Sequence, residues 1–358
     1  MANPQESALH YPFGDTLPEP GTTLEVAPGV RWLRMALPFA LDHINLWLLR
    51  DVLDGMEGWT AVDCGIANDS TRANWEHIFQ HELQGLPLLR VVATHMHPDH
   101  LGLAQWLTDR WSTPERECRL WISATDWYAA RVAVQPGAGF GGEATASFFA
   151  RHGLTNADSL DRVRARSNYY ASMVPGLPRA YRRLMDGLVL TIGGRAWTCW
   201  SGYGHAPEHM ALQCAELGVL ISGDMVLPRI STNVSVADSE PDGNPLPLYL
   251  QSIARLRVLP ADTLVLPSHG KPFTGLHARI EQLQGHHEER YADVLQACRS
   301  EALSANDLLP VLFKRPLDLH QTTFAMGEAI AHLHALAEAG RLVQMPVNDD
   351  GIVRWRSV

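Results

Sequence analysis

Along the first third of the chain, apolar and polar residues alternate with a period of two. Thr23 to Val26, Val30 to Met35, Ile44 to Leu49 and Trp59 to Asp63 predict strands, with Gly55 to Gly58 turning one into the next. A helical period follows over Asn74 to Gln84. An uninterrupted apolar, β-branched run, Val91-Val92-Ala93-Thr94, then predicts a buried strand. Leu103 to Trp111 reads as a helix and Leu120 to Ser123 as a strand. From 126 to 188 the alternation stops: a Gly-Ala-Gly-Phe-Gly-Gly run, helix-like stretches and a cluster of Arg, Tyr and Met predict an inserted helical segment. Strand patterns resume over Leu188 to Trp200, turning at Gly193-Gly194, and at Leu212 to Cys214, Val219 to Ser222 and Thr263 to Leu266. Leu248 to Val258 between them reads as helical.

The ends of the chain differ from this middle. Residues 1–22, rich in Pro, Gly and Glu, predict an extended arm. Beyond 280 the pattern predicts helices over Glu288 to Ala302, from the cap residue Ser304 to about Phe313, and over Gln321 to Gly340. Leu342 to Val347 and Ile352 to Arg356 flank Asn348-Asp349-Asp350-Gly351, a hairpin signature. The units expected are therefore an arm (1–22), a central unit (23–280, interrupted by 126–188) and a C-terminal unit (281–358).

The buried strand at Val91 ends in polar residues that carry chemistry. His95, His97, Asp99 and His100 fall within six positions. Alternate positions on extended backbone point the same way, so His95 and His97 can reach one cation together. Asp99 and His100 lie past Pro98, which redirects the chain toward a second. Imidazoles with a carboxylate suit zinc, with iron or manganese as alternatives.

His-x-His-x-Asp-His after Val-Val-Ala-Thr resembles the metallo-β-lactamase superfamily of metal-dependent hydrolases. Three later segments extend the resemblance. His205 stands in Gly-Tyr-Gly-His-Ala-Pro-Glu-His, Asp224 in Leu-Ile-Ser-Gly-Asp, and His269 in Val-Leu-Pro-Ser-His-Gly-Lys-Pro. Together these motifs cover about residues 25 to 280. The resemblance implies an α/β, four-layer αββα sandwich, with 23–280 as the catalytic domain and 126–188 as a helical lid over the substrate. One metal would take His95, His97 and His205, the other Asp99, His100 and His269, with Asp224 bridging. Val62-Asp63-Cys64-Gly65 resembles the family turn whose aspartate braces the ligand loop from behind, and His209 falls where a residue usually sits behind the metal. His43 reads as structural or pocket-lining.

Composition narrows the function. A net charge of −10 gives no general attraction to nucleic acid or anionic membrane. The five cysteines are scattered without a Cys-x-x-Cys pair, so a disulfide framework is not expected and the cytoplasm is the expected compartment. No apolar run reaches a membrane span, and Met1 to Ser7 lacks a signal-peptide pattern. Neither a Gly-x-Ser-x-Gly elbow nor a Walker A loop occurs.

The tail has winged-helix form and resembles that of family members related to an endoribonuclease. From Glu281 onward, however, seven Arg and Lys stand against eleven Asp and Glu. A nucleic-acid wing is basic, so packing, a homodimer contact or roofing the site is the expected role. In the lid, Phe148, Phe149, Tyr169, Tyr170, Met173 and Tyr181 read as core, and Arg179, Arg182 and Arg183 as a solvated helix face. A bridging aspartate resembles the glyoxalase II, lactonase and nuclease branches; with the acidic tail against nucleic acid, the expected enzyme cleaves a thioester, ester or lactone of a small carboxylic acid. The attacking group would be a hydroxide held between two cations, with Asp99 and Asp224 as the catalytic carboxylates. The alternatives are a phosphodiesterase or endoribonuclease with the same site, and a non-catalytic binder.

Overall fold

The structure is a computed structural model that describes residues 7–135, 138 and 140–358. Met1 to Glu6 and three positions of the glycine-rich run, Pro136, Gly137 and Gly139, lie outside these. The early alternation produces β1 (Leu24–Ala27), β2 (Val30–Ala36), β3 (His43–Leu53) and β4 (Met56–Val62), an antiparallel meander. Helix α1 (Asp69–His81) then crosses to β5 (Leu88–Val92), parallel to β4. This helix starts earlier than its apolar period suggests, because Asn68 caps it by accepting from the Thr71 N–H at 2.8 Å. After β5 come α2 (Pro98–Leu101), α3 (Ala104–Trp111), β6 (Arg119–Ser123) and α4 (Ala124–Ala133).

The segment between 126 and 188 is mixed rather than wholly helical. Helices α5 (Glu143–Arg151), α6 (Ala157–Arg164) and α7 (Tyr169–Met173) give way to β7 (Tyr181–Leu184), which completes a seven-stranded sheet in the order β1 to β7. Arg182 and Arg183 are therefore exposed on an edge strand, and Arg179 lies exposed just before it, not on a helix. Phe148, Phe149 and Tyr170 are buried as expected, whereas Tyr169, Met173 and Tyr181 are only half-buried.

A second sheet contains β8 (Val189–Ile192), β9 (Arg195–Gly202), β10 (His209–Cys214), β11 (Val219–Gly223) and β12 (Leu264–Pro267), in the order β12-β11-β10-β9-β8. The two sheets face each other across a core that includes Trp32, Trp47, Val62, Val92, Trp197, Leu212 and Ile221. Helices α1, α3 and α4 cover the outside of the first sheet. Helix α8 (Pro245–Arg255) and helix α9 (Leu276–Ala297) cover the second. This is the αββα order, a mixed α/β sandwich with both sheets covered.

α9 is one continuous helix that runs through position 281, so chain on both sides of the expected boundary shares it. A Cβ at Gly285 would meet nothing within 4 Å, so no close approach requires this glycine, and the helix runs straight through it. Next come α10 (Ala305–Leu312), with a capping box between Ser304 and Asp307, and α11 (Leu319–Glu338). Strands β13 (Leu342–Gln344) and β14 (Trp355–Ser357) pair antiparallel. They are shorter than the sequence suggests, since Pro346 has no N–H to continue the ladder. No helix among the described residues is long and apolar enough to cross a membrane.

Candidate metal centre

Every candidate ligand follows the C-terminal end of a strand, at the edge where the two sheets meet. β5 is buried along its whole length and delivers Thr94 and His95 into the gap. His97 keeps extended backbone (φ −60°, ψ 149°), and Pro98 then starts the single turn α2, whose preset φ suits a first helical position. That turn swings Asp99 and His100 to the other side. From the second sheet, the β9–β10 loop brings His205, the end of β11 brings Asp224, and the end of β12 brings His269.

The seven side chains form two clusters. His95, His97, His205 and Asp224 make one, and Asp99, His100 and His269 make the other. Within each group the ligand atoms lie within 4.8 Å of one another. In the first, His95 Nε2 is 2.9 Å from His97 Nδ1 and 3.2 Å from His205 Nε2. In the second, Asp99 Oδ2 is 3.7 Å from His100 Nε2 and 3.5 Å from His269 Nε2. Asp224 stands between them. Its Oδ2 is 3.3 Å from His205 Nε2, and its Oδ1 is 3.5 Å from both His100 Nε2 and His269 Nε2.

These residues fit a pair of divalent cations. His100 Nε2 and Asp224 Oδ1 are buried, face one another, and have no hydrogen-bond partner, an arrangement that is costly unless something else satisfies both. Electrostatics agrees. Burial and neighbouring imidazoles hold His95 and His97 well below the usual histidine range, leaving their nitrogen lone pairs free. Burial alone would depress His100 too, but Asp99, Asp63 and Asp224 outweigh it and raise it well above that range. His269 is likewise raised against its burial by Asp224. The second cluster thus attracts positive charge strongly enough to gather protons.

The imidazoles are oriented from behind, as metal-binding histidines require. Asp63 Oδ2 accepts from His100 Nδ1 at 2.8 Å and from the Thr94 hydroxyl at 2.9 Å, while its Oδ1 accepts from the Thr94 N–H at 2.7 Å. Asp63 adopts left-handed backbone (φ 63°), which Asp tolerates better than most residues. His205 Nδ1 donates to the Asn233 carbonyl and His269 Nδ1 to the His43 carbonyl, both at 2.7 Å. His43 is outside both clusters. Its Nε2 accepts from the Gly270 N–H, so ring and backbone together fix the His269 loop.

His209 also lies behind the clusters. Its Nε2 accepts from the Asp224 N–H at 3.1 Å, so it positions the central carboxylate's backbone. A Cβ at position 223 would come within 2.1 Å of that nitrogen, which explains why a glycine precedes Asp224.

Asp126 is a site residue that sequence reasoning missed. Its fully buried carboxylate accepts from the Met96 N–H at 2.8 Å and the Glu208 N–H at 2.6 Å. It therefore ties the loop of His95 and His97 to the loop of His205. Burial raises its pKa to about 6 against those two hydrogen bonds. Tyr170 completes the clamp by donating its hydroxyl to the Met96 carbonyl at 2.5 Å. Only a backbone partner far along the chain reveals either role, and no local motif marks one.

Two facing sheets with paired clusters of imidazole and carboxylate at their common edge define a metallo-hydrolase of the αββα class. Residues 41–269 match the Metallo-beta-lactamase superfamily, and residues 291–358 match the Metallo-beta-lactamase-like, C-terminal domain. The chain belongs to the metallo-beta-lactamase superfamily and carries an additional C-terminal domain.

It is similar along its length to a Beta-lactamase domain protein from Burkholderia ambifaria. The identity is 53% and the TM-score 0.93, covering 99% of this chain and 100% of that one. A metallo-beta-lactamase family protein from Thermus thermophilus is 27% identical with a TM-score of 0.74, covering 93% of this chain and 100% of its own. The Probable metallo-hydrolase YqjP of Bacillus subtilis (strain 168) is 26% identical over 322 residues, 85% of this chain and 91% of that protein.

Proposed function

We propose that the chain is a dinuclear, zinc-dependent hydrolase of a thioester, ester or lactone of a small carboxylic acid, akin to the glyoxalase II and lactonase branch of the family. One observation carries the dinuclear reading: Asp224 turns one carboxylate oxygen toward each cluster, as a group shared between two cations would, and the acidity of the C-terminal unit favours an acyl substrate over a nucleic acid. Two cations held there would supply a hydroxide at neutral pH and a Lewis acid for the acyl oxygen.

The chain's own residues supply the rest. His95, His97 and His205 hold one position, and Asp99, His100 and His269 the other, while Asp63, His43 and Asn233 fix the tautomers that leave the ligand nitrogens bare. Asp99 is partly exposed, so its carboxylate can accept a proton and pass it to solvent. The C-terminal domain is read as a winged-helix-like unit, and its acidity supports contact with protein over nucleic acid. The five cysteines are free and buried, which fits a reducing compartment.

The test is metal content per chain together with turnover of S-lactoylglutathione, an acyl-homoserine lactone, bis(p-nitrophenyl) phosphate and a short RNA. Two metals with thioester or lactone turnover are expected. Cleavage confined to the phosphodiester or RNA overturns the acyl reading, and absence of metal overturns the site.

A further inference from the structure

The stretch that follows Asp224 is held in place by the C-terminal domain. Residues 231–237 belong to no helix and to neither sheet. Their burial alternates: Thr232, Val234 and Val236 are buried, while Asn233 and Ser235 are half-buried, the period of extended backbone. Val234 and Val236 share one apolar core with Met326 and Ile330 of α11.

Two consecutive residues of this stretch hold candidate ligands. The Thr232 hydroxyl donates to the Asp224 carbonyl. The Asn233 carbonyl accepts from His205 Nδ1 at 2.7 Å, which puts the imidazole proton on Nδ1 and leaves Nε2 bare, 3.2 Å from His95 Nε2. The side chain of the same Asn233 is gripped at both ends. Its amide donates to Glu328 Oε2 on α11 at 3.3 Å, and its Oδ1 accepts from the Ser235 hydroxyl at 2.7 Å. Just beyond, the Val236 N–H donates to the Gly327 carbonyl at 3.1 Å. A Cβ at position 327 would come within 2.6 Å of both Cβ and Oγ of Ser235, so glycine permits the helix to lie this close. The second cluster is oriented from elsewhere, by Asp63 just past β4 and by the His43 carbonyl on β3.

We propose that α11 is a positioning element of the metal centre: Glu328, acting through Asn233, fixes the carbonyl that orients His205, and so sets how firmly the first cluster holds its cation. The proposal rests on the two-cation reading above and is independent of the substrate. A carbonyl on backbone outside both sheets is placed only as well as its own residue is anchored, and for Asn233 the anchor on the C-terminal domain is Glu328. Removing a group that directly orients a metal-binding imidazole costs about 10- to 100-fold in metal affinity. Glu328 acts one residue further out, so a smaller loss of about three- to tenfold is expected.

The experiment titrates the zinc-loaded full chain with a chelator and reads zinc retained per chain. It is repeated with cobalt, whose visible absorption reports the coordination of each position; neither readout requires turnover. In Glu328→Ala one equivalent is expected to leave at about three- to tenfold lower chelator, with the other unchanged and the cobalt spectrum altered. Glu328→Gln, which keeps an oxygen for the Asn233 amide, is expected to hold both equivalents as wild type does. Gly327→Ala, whose Cβ forces Ser235 away, is expected to reproduce the selective loss. Combining Glu328→Ala with Asp63→Asn, which acts on the second cluster, should loosen both equivalents. Urea unfolding of the chelated variants checks the fold. Wild-type retention of both metals in folded Glu328→Ala overturns the proposal, as does failure of Glu328→Gln to restore it. Equal weakening of both equivalents in Glu328→Ala also overturns it, since a merely structural role would act that way. A wild type that binds no metal overturns the two-cation reading and the proposal with it.

Discussion

Replacing Asp63 by asparagine tests whether the ligands are set from behind. The substitution preserves shape, and asparagine tolerates the left-handed backbone as well as aspartate does. What changes is the number of acceptors. Both oxygens of Asp63 are in use, Oδ1 by the Thr94 N–H, and Oδ2 by the Thr94 hydroxyl and His100 Nδ1. An amide has one oxygen. If it faces the Thr94 N–H, the new NH2 points at His100 Nδ1 and drives the imidazole proton onto Nε2, removing the ligand lone pair. If it faces His100, the NH2 confronts the buried Thr94 N–H, leaving a donor unsatisfied. The cost in either orientation is about 1–3 kcal/mol, which corresponds to about 5- to 150-fold in affinity at the second cluster. The first cluster touches Asp63 only through the Thr94 hydroxyl beside His95, so it changes less. The assay is metal content after dialysis against graded chelator, with circular dichroism as the check on folding. The second equivalent is expected to leave at lower chelator than in wild type while the first is retained. Wild-type retention of both metals in a folded variant would refute the orienting role.

Three further outcomes are expected. Asp224→Ala removes the carboxylate shared by both clusters and is expected to lower turnover by about 100-fold or more, roughly 3 kcal/mol, with metal lost and the circular dichroism spectrum intact; unchanged turnover would remove the bridging assignment. Asp126→Ala leaves the buried Met96 and Glu208 N–H groups without their acceptor, at about 1–3 kcal/mol each. Urea unfolding of the chelated protein should register that loss, and a change under about 1 kcal/mol would mean another acceptor takes over. His287 is fully buried, and desolvation followed by repulsion from His332 lowers its pKa to about 2. Its folded pKa lies below the unfolded value near 6.5, so its contribution is complete above about pH 6.5 and declines as pH falls toward 2. Between pH 7 and pH 5 the chelated wild type is therefore expected to lose about 2 kcal/mol more than His287→Gln, read from paired urea titrations; equal losses would show that His287 titrates normally.

The candidate ligands were legible because each stands in a short motif just past the end of a strand. Burial of β5, β11 and β12 on both faces leaves continuous apolar stretches, and the residue that breaks such a stretch is chemically conspicuous. Asp63 was legible for the same reason, through Val-Asp-Cys-Gly. Other features had no local mark. Arg182 and Arg183 sit on a strand although their neighbourhood reads as helical, because β7 is held by pairing with β6, a partner about sixty residues earlier. The start of α9 was hidden by Gly285, whose cost in a helix is about 1 kcal/mol, small beside the burial of Leu276, Ile280 and Leu283 on the same helix.

The residues that escaped notice share one task, which is joining the two sheets where their apolar core ends. The Asn45 side chain on β3 donates to the carbonyls of Pro267 and Gly270 at 2.8 and 3.0 Å and accepts from the Trp32 indole, while its backbone N–H reaches Ser268. The Thr94 carbonyl accepts from the Met210 N–H at 2.7 Å, and Asp126 takes the Glu208 N–H. Apart from the Trp32 bond, which stays within the first sheet, each joins the first sheet or the helix that follows β6 to the segment that carries His205 or His269. Apolar packing between sheets is non-directional and leaves them free to slide by fractions of an ångström. A site whose ligands come from both sheets needs directional bonds at the seam to hold those ligands in place. Their partners lie about 80 to 225 residues apart in sequence, so no window of the chain contains both ends, and only the folded seam brings them together.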